Sequence, residues 1–263
     1  MADVVEKFIF KPVGFIESWF KTKNGTPRQS TICSSCRGTL TISKSLFNNP
    51  EHSLDSLKDF SHVWLIFIFH KNSPFHSEKS KVSPPRLNGI RVGVFSTRSP
   101  HRPNPIGLTL AKVDKIEGAT LHLSNIDLLD GTPVLDIKPY IPTYDEATNK
   151  QEGDNPSEIC VPSWISNTAI GNELKIRFTP SAHLQLTQLV TSRNCLKYLT
   201  NLSEVESTIT QLLSADPRSV YRRENCKDRL YYLTVDEIHI TCWFDDEEKI
   251  VEVLKVKKYE PRN

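Results

Sequence analysis

Two short stretches of the chain hold most of the side chains that could do chemistry. The first, VFSTRSPHRPNPIG over residues 94–107, places two arginines, a histidine and an asparagine among three prolines. The second, IDLLDGTPVLDIKPY over residues 126–140, carries three aspartates, a lysine and a tyrosine. Proline fixes its own φ and restricts the residue before it, and glycine allows close backbone approach, so both stretches are stiff. Polar groups on stiff loops are typical of a ligand site.

The sequence between these stretches predicts how they meet. Ile106–Ile116 and Thr120–Ile126 alternate apolar and polar residues, which predicts two strands joined by a turn at Glu117-Gly118. Such a hairpin can carry both loops to the same end of a sheet. Taken singly, P-N-P and D-G-T-P are more often ordinary turns, and that interpretation stays open at this point.

Length and composition leave the class of protein open. The chain has 263 residues, enough for one large domain or two modest ones, and a formal net charge of +2 that fits an ordinary surface. The opening MADVVEKFIFK lacks the pattern of a secretory signal, and the longest apolar run, Val63–Phe69, is too short to span a bilayer. We therefore expect no membrane segment, and free thiols in a reducing compartment.

The six cysteines are irregularly spaced along the chain. Cys33 and Cys36 form a single C-x-x-C pair, but no second pair or H-x₃₋₅-H motif completes a four-ligand zinc site. We interpret the pair as chance spacing and expect no metal.

The first half of the chain predicts a closed or nearly closed antiparallel sheet. Its strands are expected at Phe8–Glu17, Thr39–Ser43, Val63–His70, Ile106–Ile116, Thr120–Ile126 and Val134–Pro139. Val63–His70 is continuously apolar, which predicts a strand buried on both faces. A short amphipathic helix is expected over Pro50–Phe60.

The second half of the chain differs in character. Asp145–Glu158 has almost no apolar residue and is interpreted as part of a linker. Strands are expected at Glu173–Phe178, Arg229–Phe244 and Lys249–Val256, with one helix from Ser181 and another opened by a Ser203/Glu206 capping box. The predicted fold class is α+β, with a β-barrel over residues 5–145, a linker over 146–162 and a smaller α+β domain over 163–263.

The chain lacks the usual motif for a nucleotide cofactor, G-x-G-x-x-G between a strand and a helix. Any such cofactor must be held by loops. The runs PRQ, FSHVWLIFIFHKN, GVFSTRSPHRPNPIGLTLAKV, LDGTPVLDIKPY and DPRSVYR, between Pro27 and Arg222, resemble the TrmO (TsaA-like) family. Its members are S-adenosylmethionine-dependent tRNA methyltransferases that methylate N6 of threonylcarbamoyl-adenosine beside the anticodon. The resemblance implies an N-terminal β-barrel and a homodimer with active sites near the subunit interface.

The resemblance also implies where the cofactor binds. The implied residues are Pro27, Arg28, Gln29, His70, Lys71, Arg98, Leu108, Asp127, Leu128, Leu129 and Asp130. Chemically, a guanidinium group suits the carboxylate of S-adenosylmethionine, an aspartate suits its ribose diol or its cation, and backbone groups at Leu108, Leu128 and Leu129 suit the adenine edge. The alternatives are surface ion pairs for the arginines and an Asx turn for the aspartates.

Methyl transfer to a urea-like nitrogen calls for positioning and for removal of a proton. The candidate bases are Asp130, Asp136 and His101, with Tyr140 ranked after them, chosen only because they cluster in the two loops. His101 is a weaker candidate because it occupies a variable position of the family pattern.

The late DPRSVYRR run supplies candidate contacts to the tRNA anticodon loop. Arg218, Tyr221, Arg222 and Arg223 combine cations with an aromatic ring, and Arg102 in the first loop is a further candidate. The alternative for the late run is a contact between domains or subunits. We therefore predict a cytoplasmic tRNA methyltransferase, with the nucleus as the alternative location. A non-catalytic module that binds RNA or S-adenosylmethionine is the second hypothesis and a β-barrel unrelated to RNA the third, and the completeness of the loops favours activity.

Overall fold

The computed structural model describes residues 9–72, 79–87, 89–146, 160–166, 174–192 and 196–260. The strands are β1 Gly14–Ser18, β2 Gly38–Ile42, β3 His62–Ile68, β4 Lys81–Val82, β5 Val92–Gly93, β6 Ile106–Glu117, β7 Thr120–Ser124, β8 Pro133–Pro139, β9 Lys175–Phe178, β10 Leu230–Val235, β11 Ile238–Asp245 and β12 Ile250–Lys258. The α-helices are α1 Pro142–Asp145, α2 Ser163–Ser166, α3 Pro180–Thr191, α4 Leu202–Ser214 and α5 Val220–Asn225. The predicted linker falls almost wholly on residues 147–159, outside this description, so its boundaries stay a prediction.

The first half forms a closed antiparallel barrel in the order β1-β2-β7-β6-β3-β8, with β8 pairing back to β1. Alternation along each strand fills the interior, since Val63, Leu65 and Phe67 of β3 are buried while the residues between them are partly exposed. The predicted barrel is confirmed. The prediction that β3 is buried on both faces is wrong, because its outward side chains form part of the barrel's outer wall.

Strand directions bring the two chemistry-bearing loops to one end of the barrel. β6 and β8 both run antiparallel to β3, so the loops that precede them lie together at the end where β3 finishes. β1 also finishes there, because the loop before β8 bonds to it through Gly131 N to Ile16 O, 2.8 Å. We call this end the rim. A Cβ at Gly107 would overlap the Phe67 ring, which explains the glycine after P-N-P-I.

The second half builds a four-stranded sheet in the order β10-β11-β12-β9, in which β9 runs parallel to β12. Helices α3 and α4 pack on its apolar face, where Ala182, Leu186 and Ile209 join the buried strand residues in one core. Gln185 of α3 accepts a hydrogen bond from Val256 N at 2.9 Å, which fixes that helix to β12. The predicted α+β architecture of this half is confirmed.

Two element boundaries differ from the prediction in the barrel half. The first strand begins at Gly14; Phe8 lies outside the described residues, and 9–13 are irregular. The predicted helix over Pro50–Phe60 is two short 3₁₀ segments, Pro50–Leu54 and Leu57–Asp59. Ser56 between them takes a left-handed φ of 64°, which interrupts a continuous helix.

Two further differences occur in the second half. The helix cap is Asn201, which accepts from Glu204 N, while Glu204 accepts from Thr200 N, so the capping motif lies earlier than Ser203. The expected single strand over Arg229–Phe244 is the hairpin β10–β11. Its turn is held by Asp236, whose carboxylate accepts backbone N–H groups after α3, a contact that strand alternation does not reveal.

Candidate active site

At the rim, residues far apart in sequence are joined by polar contacts. Arg98 Nη1 donates to Gln29 Oε1 at 2.8 Å. Asn72 Nδ2 donates to the Pro100 carbonyl at 2.9 Å, which ties the end of β3 to the proline-rich loop. The structure therefore brings the first arginine loop, the P-R-Q loop and the end of β3 together, three of the segments that the family resemblance implies for the site.

Asp127 lies under this surface with an unused acceptor. The residue as a whole is partly exposed, but its Oδ1 atom is buried and has no hydrogen-bond partner among the described residues. Burial raises the pKa of Asp127, and the nearby Thr109 hydroxyl and Arg98 guanidinium only partly offset it. Thr109 Oγ1 is also buried, and although it is close enough to the carboxylate to lower its pKa, it makes no well-formed hydrogen bond in the described part of the chain. Buried polar atoms are normally paired, so this corner is suited to a ligand that supplies donors.

Asp130 is already occupied by partners from β1 and the residues after it. Its Oδ1 accepts from Ser18 N at 3.0 Å and its Oδ2 pairs with Lys21 Nζ at 2.9 Å. Partial burial acts to raise the pKa of Asp130, but the hydrogen bonds from Lys21 and Ser18 outweigh it and the pKa is lowered. The following Gly131 has φ of 74°, as a tight turn requires. Asp130 is thus a held carboxylate and a weak proton acceptor.

His70 and Lys71 leave β3 beside this aspartate. Partial burial and the charge of Lys71 lower the pKa of His70, so its imidazole is neutral at physiological pH. Lys71 Nζ donates to the Lys21 carbonyl at 2.8 Å. With Lys21 and Lys23, which are also exposed, Lys71 makes this side of the rim basic.

Three predicted site residues lie away from the rim, two on the outer wall and one at the opposite end of the barrel. Leu108 and Asp136 both align with Ile66 across β6-β3-β8, and Leu108 is 52% exposed. Asp136 Oδ2 pairs with Lys138 Nζ at 2.8 Å. Tyr140 lies beyond β8 at the opposite end of the barrel, where its N–H donates to the His62 carbonyl. Within one chain, the structure does not bring Asp136 or Tyr140 to the rim.

The four remaining residues of the P-R-Q and D-L-L-D runs have different environments. Pro27 is buried at the junction with the second half, and Arg28 Nη2 donates to the Arg218 carbonyl at 2.6 Å. Leu128 is buried and Leu129 packs against the core, so these two residues can offer only backbone groups to a ligand.

The late arginine segment is mostly structural. Arg218 is 4% exposed, forms ion pairs with Asp216 and Asp246, and lies 3.9 Å over the Phe244 ring. The prediction that Arg218 contacts tRNA is therefore corrected, because its guanidinium group is already enclosed by partners.

The neighbours of Arg218 divide between structure and surface. Arg222 donates to the Leu230 carbonyl, and Arg223 donates to the Pro85 carbonyl at 2.9 Å, far away in the chain. The Arg223 bond fits the alternative of a contact between the two halves, whereas the Arg222 bond lies within the second half. Tyr221 is 70% exposed and remains open to a partner. In the first loop, Arg102 braces the Val94 and Thr97 carbonyls, whereas His101 is exposed.

Sequence reasoning missed Ser18, Lys21 and Thr109. Ser18 ends β1 and Lys21 follows it, in the run GFIESWFK, which carries no family motif, and both become part of the site only through strand pairing. Thr109 faces inward by the alternation of β6, and that signal could have identified it.

Comparison with known proteins identifies the family. The model of the tRNA-methyltransferase O N-terminal domain matches residues 15–146. A human protein named tRNA (adenine(37)-N6)-methyltransferase is 35% identical over 94% of this chain and 89% of its own length. The chain belongs to the tRNA-methyltransferase O family. The predicted resemblance is confirmed.

Two further relatives extend the tRNA-methyltransferase O comparison. A Pyrococcus abyssi protein named "Probable S-adenosyl-L-methionine-binding protein" is 36% identical over 55% of this chain and 74% of its own. The crystal structure of TrmO from Pseudomonas aeruginosa superposes with a TM-score of 0.67 at 28% identity, covering 96% of this chain and 99% of that one. The fold of both halves therefore occurs in a solved member of the family.

The described part of the chain gives little support for a metal site or a membrane-spanning helix. Cys33 and Cys36 are fully buried, and no group of three or more metal-ligating side chains occurs among the described residues. The five described cysteines are free thiols, and Cys195 lies outside the description. No described helix is both long and apolar enough to cross a membrane.

Proposed function

We propose that this protein transfers a methyl group from S-adenosylmethionine to N6 of adenine 37 in tRNA, on the base that carries a threonylcarbamoyl group. Family membership supports the reaction class, since the human relative is named for that position and atom. The observation that carries the assignment to this chain is the contact between Arg98 and Gln29 above the unused Asp127 acceptor. It places a cation, an amide and a carboxylate at one end of the barrel.

The residues of the rim fit S-adenosylmethionine, which supplies a methyl group already activated by its sulfonium centre. Arg98 can donate to a carboxylate, and Asp127 Oδ1 can accept from a hydroxyl donor such as a ribose diol. The closed barrel buries the residues beneath this surface, which supports a water-poor site on a rigid base. No glycine-rich crossover is needed.

We do not assign the role of general base to Asp130. Its lowered pKa and its ion pair with Lys21 make it a poor base and a good holder of the rim geometry. Asp136 remains the candidate base, because its ion pair with Lys138 is more exposed to solvent, and therefore weaker, than the pair of Asp130 with Lys21. Because it lies on the outer wall with Leu108, we propose that it serves the rim of a second subunit in a homodimer.

Tyr140 borders the outer-wall surface that carries Asp136 and Leu108. It meets Trp64 of the outer wall edge to face, with ring centroids 5.9 Å apart. Burial and the neighbouring Glu146 raise the pKa of Tyr140, so its phenol stays protonated at physiological pH and cannot accept the proton. We therefore place Tyr140 at the subunit contact and not at the reacting nitrogen.

We keep residues 5–145 as the catalytic barrel, 146–162 as the linker and 163–263 as the domain that assists tRNA binding. Because the proposed substrate is tRNA, we propose that the protein acts in the cytoplasm, with the nucleus as the alternative.

The reaction is tested with methyl-labelled S-adenosylmethionine and two tRNA preparations, with and without the threonylcarbamoyl group. Label is expected at N6 of the carbamoylated adenine only, and Arg98→Met is the inactive control. Transfer to neither tRNA contradicts the proposed function, and equal transfer to both contradicts recognition of the carbamoyl group.

The shared site is tested by mixing two inactive variants, Arg98→Met and Asp136→Asn. If each site takes Arg98 from one subunit and Asp136 from the other, a mixed dimer regains one complete site and activity returns. Sedimentation of the mixture checks that dimers form. Mixed dimers without activity would contradict the shared site.

A further inference from the structure

The sheet of the second half has two unlike faces. One face carries the alternately buried residues, including Tyr231, Ile240 and Val253, and packs against α3 and α4. Within the described ranges no helix packs on the other face, which we call the open face. It is formed by Arg177, Leu230, Tyr232, Thr234, His239, Thr241, Trp243, Glu252, Lys255 and Lys257.

Aromatic rings occupy the middle of the open face. Tyr232 and His239 are stacked, with ring centroids 6.0 Å apart and planes 12° from parallel. Tyr232 is 41% exposed although it lies within a strand. Trp243 is the diagonal neighbour of Tyr232, because Thr241 is the residue directly opposite Tyr232. Flat aromatic surfaces on an open sheet are suited to stacking by unpaired bases.

Cations border these rings. Lys257 lies opposite His239 and Lys255 opposite Thr241, and both lysines are exposed. Arg177 on β9 aligns with Glu252 on β12. Neither lysine has an ion-pair partner in the part of the chain that the structure describes. Charged borders around aromatic rings match the chemistry of a sugar–phosphate backbone with stacked bases.

The open face is continuous with the rim. Thr234 at its edge shares a cleft with Ser18, Lys21 and Lys197, so β10 lies beside the lysine that holds Asp130. Trp19 also lines the cleft, and its Nε1 is buried without a hydrogen-bond partner among the described residues. Asp236 and Glu237 also line the cleft, so the path from the sheet to the rim carries charges of both signs, with Lys21 and Lys197 as its cations.

We propose that the open face is a platform for single-stranded RNA, which holds the loop of the tRNA whose target base enters the rim. This proposal rests on the proposed function and identifies the surface that binds its substrate. Charge decides between occupants, because lysine is depleted in protein–protein interfaces, whereas the open face carries Lys255 and Lys257 exposed and suited to phosphate.

The test measures binding of a fluorescein-labelled anticodon stem-loop RNA by fluorescence anisotropy, without S-adenosylmethionine. Tyr232→Ala is expected to weaken binding about tenfold, while Tyr232→Phe retains it because the ring still stacks. The double change Lys255→Gln and Lys257→Gln is expected to reduce the slope of log Kd against log salt by about 1.4. Thermal melting checks that each variant is folded.

Matched controls lie at the far end of the barrel. Tyr144→Ala removes a ring that is 81% exposed, and the double change Lys44→Gln and Lys58→Gln removes two exposed lysines. These variants are expected to bind the RNA like the parent. If Tyr232→Ala and the Lys255/Lys257 variant also bind like the parent, the platform is rejected, and a protein partner becomes the better occupant.

The two proposals fail separately. Loss of RNA affinity in the open-face variants, together with absence of methyl transfer by the parent protein, keeps the platform and rejects the reaction. Methyl transfer by the parent, with unchanged RNA affinity in the open-face variants, keeps the reaction and rejects the platform.

Discussion

Two arginine-bearing loops of this protein have similar compositions and different uses. Residues 97–105 and residues 216–223 both combine arginine with proline and serine. In the first loop, Arg98 is exposed and bonds to an uncharged amide on a neighbouring loop. In the second, Arg218 is buried between Asp216 and Asp246 and over the ring of Phe244.

The difference teaches that partners decide what an arginine does. A buried guanidinium group surrounded by carboxylates has a structural role, because removing it would leave unpaired charges. A guanidinium group that faces solvent beside an amide keeps donors available for a ligand. Both types of loop look alike as sequence.

The largest expected effect is on stability. Arg218→Met should lower the free energy of unfolding by about 3 kcal/mol, because two carboxylates lose their shared cation. Urea unfolding measures this, with Arg223→Met as the control that keeps the Arg218 pairs. Adding Asp216→Asn and Asp246→Asn to Arg218→Met should restore part of the loss; a triple variant no more stable than the single one would contradict the charge argument.

Arg98→Met should leave stability within about 0.5 kcal/mol of the parent, because the side chain is exposed. Its effect should fall on binding, with the Kd for S-adenosylmethionine about a hundredfold higher, so that methyl transfer falls close to background at a cofactor concentration near the parent's Kd. Isothermal titration calorimetry measures this. Arg98→Lys keeps the charge without the paired N–H donors, so its Kd should lie between those of the parent and Arg98→Met. An unchanged Kd in Arg98→Met would remove this arginine from the site.

The smallest effect, and the one that depends on pH, is expected at Asp127. Because burial raises its pKa, the folded state holds the proton more tightly than the unfolded state. Its contribution to stability is therefore greatest at low pH and is lost as pH rises through the folded-state pKa. Asp127→Asn should have a higher Tm than the parent at pH 8, and the gap should close toward pH 4.

The same variant should bind S-adenosylmethionine more weakly, because the amide replaces one acceptor oxygen by a donor. Differential scanning fluorimetry with and without the cofactor reads both effects. A parent whose Tm relative to Asp127→Asn does not change with pH would contradict the raised pKa.

Much of the barrel could be predicted from sequence because its signals are local. Alternation in Ile106–Glu117 and the glycine turn after it fix a hairpin, and hairpin direction brings both loops to one rim. Contacts between distant segments could not be predicted in this way. The hairpin turn at Asp236 depends on N–H groups that follow α3, and the pairing of Asp130 with Lys21 depends on β1 lying beside β8.

By itself, the sequence determined where the strands lie along the chain, which loops are stiff, and the family to which the chain belongs. Periodicity, proline, glycine and motif spacing act over short distances. Only the tertiary structure decided which charges neutralise each other. It enclosed Arg218, left Arg98 at the surface, and set Asp136 on the outer wall. Electrostatic pairing depends on distance and burial in space, and neither quantity is written in a linear spacing.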